Sequence, residues 1–288
     1  MILVFGKTGQ VAQALARLAP DAVFLSRDQA DLSDPAACAE AIRAHAGQGV
    51  GGNPLSGVIN AAAWTAVDVA ETNEAAATTV NGDAPGAMAL ECARLGLPFL
   101  TISTDYVFDG GGTAPWTPDA PCAPINAYGR SKLAGERAVQ EVGGRAAILR
   151  TSWVFSSDGA NFLKTMLRLS ETRAALSVVD DQIGGPTPAA AIARAALRMT
   201  EALGQGHPGG IWHIAGAPYV SWADFARWIF ACVGRDVAVT GIPSSDYPTP
   251  APRPLNSRLD CTTLARDFAL RQPDWKAEAR ADIRRLTA

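Results

Sequence analysis

Histidine is scarce in this chain: His45, His207 and His213 are the whole supply, and no two stand at a metal-ligand spacing. Cysteine is sparse too. Cys38, Cys92, Cys122, Cys232 and Cys261 are scattered, odd in number and never spaced C-x-x-C, which argues against a disulfide framework and a zinc site. No metal is expected. No block of lysine and arginine stands out and the formal net charge is −3, so the electrostatic footprint of a nucleic-acid-binding protein is missing. No apolar run is long enough to span a membrane. No charged and then apolar segment precedes the opening MILVFGKTGQ, which enters a strand at once, so a cytoplasmic protein is expected. Internal repeats and low-complexity tails are absent as well.

What is present fits a globular protein of one large domain or two modest ones: 288 residues, 48% apolar and 18% charged. Short, nearly continuous apolar runs at 2–5, 22–25, 57–60, 99–103 and 146–150 read as parallel strands covered on both faces. Helical runs at 10–19, 35–46, 73–95 and 130–142 lie between them. The alternation predicts an α/β fold, a Rossmann-type doubly wound parallel sheet. The second half has helices at 161–173, 188–203 and 222–233, strands near 176–180 and 211–215, and then the proline-rich IPSSDYPTPAPRPLNSRLD. Residues 1–155 are expected to form a dinucleotide-binding domain, to which the chain returns around 175–205. Residues 156–288 are expected to form a smaller, discontinuous α/β substrate domain against the carboxyl ends of the sheet.

The opening strand runs into a turn and a helix with Gly6, Gly9 and Ala12 spaced G-x-x-G-x-x-A. Gly6 permits the tight turn, Gly9 a close approach of backbone to a pyrophosphate, and Ala12 tight packing of helix on sheet. Free amides at the helix start then favour phosphate charge. A nicotinamide dinucleotide is therefore expected. The second strand ends near Arg27, which either holds a 2′-phosphate, favouring NADPH over NADH, or is a solvated surface charge; the adjacent Asp28 leaves both readings open.

The run LTISTDYVFDG ends a strand in Ser103, Thr104 and Asp105, at the sheet edge where ligands bind. Further on, NAYGRSKLAGE sets Tyr128 and Lys132 one helical turn apart. A phenol is a poor acid–base group at neutral pH, and a neighbouring ammonium is expected to lower its pKa. Glycine turn, strand-end threonine and Y-x-x-x-K, in this order, point to Thr104, Tyr128 and Lys132 as a catalytic group.

The segments FGKTGQVA, NAAAWTAVDVAE, STDYVFDG, NAYGRSKLAGE, RTSWVF, DDQIGGPT and YPTPAPRPLNSRLD resemble the signatures of the dTDP-4-dehydrorhamnose reductases, a group of extended short-chain dehydrogenases/reductases. The glycine and Y-x-x-x-K motifs mark only the superfamily; the Thr-Asp-Tyr after the strand, RTSW and RPxNS narrow it. The resemblance implies NAD(P)H-dependent reduction of the 4-keto group of dTDP-4-dehydro-6-deoxy-L-mannose to dTDP-L-rhamnose. It implies Tyr128 as proton donor, Lys132 as its partner and Thr104 as third member. It puts Gly9, Gln10 and Val11 on the pyrophosphate, Asp31 and Leu32 near the adenosine, and Ala63, Trp64, Thr65 and Ile102 in the cofactor cleft. It puts Thr104, Asp105 and Trp153 on the sugar nucleotide, with Arg253 reaching its pyrophosphate. Some members dimerise around magnesium through a glutamate in the first helix; here that position is Ala14, so magnesium is not evident and a monomer or weak homodimer is expected. Rival readings are a related sugar-nucleotide reductase or epimerase and a non-catalytic NADP-binding regulatory subunit. A dehydratase commonly has glutamate after Thr-Asp, where this chain has Tyr106.

Overall fold

The computed structural model describes residues 1–48 and 54–287. The first half runs β1 (Ile2–Phe5), α1 (Gln10–Leu18), β2 (Val23–Leu25), α2 (Pro35–Gln48), β3 (Gly57–Asn60), α3 (Val67–Ala70), α4 (Glu74–Thr78), α5 (Ala84–Arg94), β4 (Phe99–Thr104), α6 (Ala127–Val142) and β5 (Ala146–Thr151). The second half runs β6 (Val154–Phe155), α7 (Phe162–Ser170), β7 (Ala175–Val179), β8 (Ile183–Gly184), β9 (Thr187–Pro188), α8 (Ala189–Gly204), β10 (Gly210–Ile214), β11 (Val220–Ser221), α9 (Trp222–Cys232), β12 (Ala238–Ile242), β13 (Asn256–Ser257), α10 (Thr262–Phe268) and α11 (Trp275–Thr287).

A six-stranded parallel sheet has the order β10-β5-β4-β3-β1-β2. Its strands are apolar along their length because both faces are covered. Val4, Leu100 and Ile192 pack on the face under α1 and α8; Leu3, Val58 and Met88 pack on the face under α2, α5 and α6. The chain leaves β1 for β2 on one side and crosses to β3 on the other. Beyond the carboxyl ends of β1 and β3, diverging connections open a crevice, the usual ligand site of such sheets.

The helical run at 73–95 is not one helix. Between α4 and α5 a single π-turn spans Thr79–Asp83. Pro85 offers no amide to the Asn81 carbonyl, and the wider turn absorbs the interrupted ladder. That carbonyl faces Gly135 of α6, where a Cβ would collide with it.

A second lobe is built from α7, α9, α11 and short strands around Phe155, Phe225, Phe230 and Trp275. Within 175–205, β7 pairs with β12 in this lobe, whereas α8 packs on the large sheet, whose edge strand β10 follows it. β7 keeps two of its five positions exposed and only Val178 buried, unlike the covered strands of the large sheet. The lobes are joined beside α1, where Gln10 Oε1 accepts from Ser156 at 3.0 Å and from Asn161 at 2.9 Å. Among the described residues no helix is long and apolar enough to cross a membrane, and no group of three or more His, Cys, Asp or Glu is placed to hold a metal.

Candidate active site

A cleft of about 900 Å³ opens along the carboxyl ends of β1, β3, β4 and β5. Its first end is the glycine turn. Gly6 has φ +103°, a left-handed conformation that disfavours other residues, and a Cβ there would press on the Ala61 backbone at 3.3 Å. No side chain caps the start of α1, so its first amides are open to a ligand. This uncapped helix start behind a close-packed glycine fits a pyrophosphate. Gly9, Gln10 and Val11 line the cleft here, and Arg27, Asp31 and Leu32 line it beyond β2. Arg27 stands 3.8 Å from Asp31. The Ser33 backbone amide, followed by the Ser33 hydroxyl and the Arg27 charge, holds the Asp31 carboxyl below its ordinary range.

At the other end lie the groups with proton chemistry. Asn126 caps α6 by accepting from the Gly129 amide at 2.8 Å, so Tyr128 sits in the first helical turn. Lys132 follows one turn later, and both line the cleft with Thr104 and Ile102. Lys132 Nζ donates to the Ile102 carbonyl at 2.7 Å. Burial pushes its ammonium down to about 8, against the raising influence of Glu136. The Tyr128 phenol was expected to be lowered by Lys132. Instead burial pushes it up to about 12, opposed by a hydrogen bond with the Thr104 hydroxyl and reinforced by Asp105. Desolvation is the largest influence on this buried phenol. A raised phenol is protonated throughout the neutral range, which suits a proton donor.

Asp105 follows Thr104 and is 2% exposed. Burial pushes its carboxyl up to about 7, against hydrogen bonds from Ser257 and Thr104. Among the described residues its Oδ2 has no partner, leaving an acceptor for a ligand. Tyr106 meets the Tyr128 ring edge-on, with centroids 5.6 Å apart. Trp153 lines the cleft after β5 in a left-handed conformation, φ +49°, its indole against Gly184.

Ala63 and Thr65 also line the cleft, whereas Trp64 and Arg253 do not. Trp64 packs, as Tyr128 does, against the cluster of Ala70, Ala77 and Ala127, and its backbone is held by Asn81. Arg253 is spent on Asp68 at 3.0 Å and on the Ala251 carbonyl at 2.7 Å, bracing the proline-rich segment. Reading the sequence did not single out Trp222, which lines the cleft from α9, or Asn81, which ties the loop after β3 to α6. Nothing in the local pattern marks either. Tyr106 was legible inside STDYVFDG as the residue standing where a dehydratase has glutamate.

The family model described as the RmlD substrate binding domain matches residues 1–288. A dTDP-4-dehydrorhamnose reductase of Sinorhizobium fredii is 41% identical over 97% of this chain and 95% of its own length. A solved dTDP-4-dehydrorhamnose reductase of Clostridium acetobutylicum superposes with a TM-score of 0.91 at 32% identity, covering 100% of this chain and 99% of its own. That of Bacillus anthracis, in complex with NADP, superposes with a TM-score of 0.89 at 30% identity, over 99% of this chain and 98% of its own.

Proposed function

The chain belongs to the RmlD family of dTDP-4-dehydrorhamnose reductases, and from that membership we propose how its cleft performs the reaction. The reaction is reduction of the 4-keto group of dTDP-4-dehydro-6-deoxy-L-mannose to give dTDP-L-rhamnose, with NADPH or NADH consumed. The bound reduced nicotinamide supplies the hydride to carbon 4. Tyr128 delivers its proton to the oxygen of that carbon, so that one hydride and one proton together convert the ketone to an alcohol. A sugar alkoxide is more basic than a phenolate, so the proton passes from Tyr128 to the sugar oxygen. Thr104 orients the oxygen by hydrogen bonding. The Lys132 charge stabilises the phenolate left behind until solvent reprotonates it. Asp105 and Trp153 bind the sugar nucleotide, and the Gly6–Val11 turn binds the cofactor pyrophosphate.

The single observation that carries this assignment is the convergence of Thr104, Tyr128 and Lys132 on one stretch of a cleft that has the glycine turn at its other end. We assign the sheet with residues 1–155, α8 and β10 to the cofactor, and the remainder to the sugar nucleotide. We further propose a cytoplasmic enzyme, monomeric or weakly dimeric. The test follows cofactor oxidation and dTDP-L-rhamnose formation from dTDP-4-dehydrorhamnose. Tyr128→Phe is expected to cut kcat by at least about 100-fold with cofactor affinity nearly unchanged; ordinary turnover by this variant would refute Tyr128 as the proton donor.

A further inference from the structure

Beneath the catalytic lysine lies a buried ion pair that proton and hydride transfer do not use. Glu136 stands four residues after Lys132 on α6; Lys132 is 4% and Glu136 2% exposed. At that spacing the two share a face and an ion pair between them is the ordinary outcome. Among the described residues none joins them. Lys132 Nζ donates to Ile102 instead, and both Glu136 oxygens are taken by Arg150, from Nε at 2.8 Å and from Nη2 at 2.6 Å. Arg150 reaches up from β5, in register with Ser103 on β4. Its guanidinium is fixed by the Pro118 carbonyl at 3.1 Å and by His213 Nε2 at 3.3 Å, and lies over the Phe108 ring.

We propose that Arg150 is a positioning residue: by occupying both oxygens of Glu136 it keeps that carboxylate from capturing the catalytic ammonium, and leaves Glu136 to hold Lys132 as a cation by charge alone. The inference rests on the role of Lys132 in the proposed reaction. The other charges around the lysine fit it. Tyr128, Tyr106 and Asp105 face it from the cleft side. Burial keeps His213 neutral at about 3, so the Arg150 charge is not doubled, and keeps the Cys122 thiol beside Arg150 protonated. Glu71, Glu74 and Arg130 are engaged at the start of α6, where Glu71 accepts from the Ala127 amide and Glu74 pairs with Arg130. Without Glu136, Arg150 and Lys132 would be buried cations with no counter-charge. Without Arg150, a buried Glu136 would draw on Lys132, one turn away on the same helix face, and the ammonium would be pulled off the cleft.

The full-length enzyme is assayed at saturating NADPH with dTDP-4-dehydrorhamnose, and kcat is followed from pH 6 to 10. Activity is expected to fall as pH rises and Lys132 loses its proton. Glu136→Gln is expected to move that fall down by about one pH unit, since an opposing charge has been removed. Arg150→Met is expected to lower kcat at pH 7 at least about tenfold through displacement of the ammonium. Arg150→Met/Glu136→Gln is expected to recover most of that loss while keeping the lowered alkaline limb, because Glu136 and not Arg150 is the charge acting on Lys132. The double variant leaves neither Arg150 nor Glu136 as the unpartnered half of their buried pair, so it serves where a single variant does not fold. An alkaline limb that stays put in a folded Glu136→Gln or double variant overturns the proposal, as does a double variant no faster than Arg150→Met. Full turnover by Lys132→Met would instead remove the role of the lysine on which the proposal stands.

Discussion

The indole of Trp153 lies flat on that of Trp222, centroids 3.5 Å apart and planes 10° from parallel. Trp153 follows β5 of the large sheet and Trp222 opens α9 of the second lobe, so the stack closes one wall of the cleft between the two. Trp222 is held from behind by Phe162 and by Gln182, whose Oε1 accepts from its Nε1 at 3.2 Å. Gly184 makes room for the other indole. Stacked aromatic pairs are worth about 1 kcal/mol beyond their buried area. Trp222→Leu is therefore expected to raise KM for the sugar nucleotide about fivefold to tenfold, with a smaller change in KM for NADPH. Steady-state kinetics with each substrate varied in turn checks this, and an equal rise in both constants would speak against a wall facing the sugar nucleotide.

Asp105 makes stability depend on pH. Its carboxyl rises from 3.8 to about 7 in the folded chain because burial disfavours the anion. Between those values the native state keeps a proton that the unfolded chain has released, so stability falls as pH rises through this window. Above about 7 both states are ionised and the whole penalty, on the order of 4 kcal/mol, is present. Asparagine mimics the protonated acid at every pH. In the absence of substrate, Asp105→Asn is expected to raise Tm by several degrees at pH 8, and by much less at pH 5. Thermal melts at the two values test it; a gap that does not change with pH would place the charge outside the folded core.

The large sheet was legible because parallel strands covered on both faces leave unbroken apolar runs, as at 57–60 and 146–150. Tyr128 and Lys132 were legible because a spacing of four fixes a common helix face. What escaped depends on contacts between distant segments. The π-turn at Thr79–Asp83 needs Pro85 in the chain and Gly135 in space. Trp222 reaches the cleft only because the second lobe folds back on β5. Arg253 had a plausible anionic partner in the substrate, but Asp68, nearly two hundred positions away in sequence, already holds it. The Tyr128 phenol is pushed up rather than down because the spacing shows a cation nearby but not the depth of burial.

Arg27 bears on the choice of cofactor. It is an exposed cation lining the cleft beyond β2, with the acidic Asp31 at 3.8 Å. A 2′-phosphate in this corner meets the arginine, while a bare ribose meets the carboxylate. Arg27→Ala is expected to lower kcat/KM for NADPH about tenfold, the worth of one charge-assisted contact, and to leave NADH within about twofold. Raised salt is expected to lower kcat/KM for NADPH more in the unaltered enzyme than in the variant. Equal losses with both cofactors would make Arg27 a surface charge only.

Asn81 is the residue whose loss should separate architecture from chemistry. It is 1% exposed, and its amide accepts from the Trp64 backbone at 2.9 Å, donates to the Trp64 carbonyl at 3.0 Å and donates to Ser131 at 2.9 Å. One side chain thus ties the loop after β3, which carries Ala63 and Thr65, to the helix that carries Tyr128 and Lys132. The π-turn sets Asn81 within this reach, and Gly135 lets its backbone approach α6. Asn81→Ala leaves the Trp64 amide and carbonyl and the Ser131 hydroxyl without that partner, at a cost of about 2–4 kcal/mol. The loop would then hold the cofactor less firmly while the groups on α6 stay in place. The expected result is a lower Tm and a KM for NADPH raised about tenfold, with kcat at saturating cofactor reduced far less than in Tyr128→Phe. Should kcat collapse while KM for NADPH stays constant, Asn81 would be acting on the chemistry itself and the tie would be incidental.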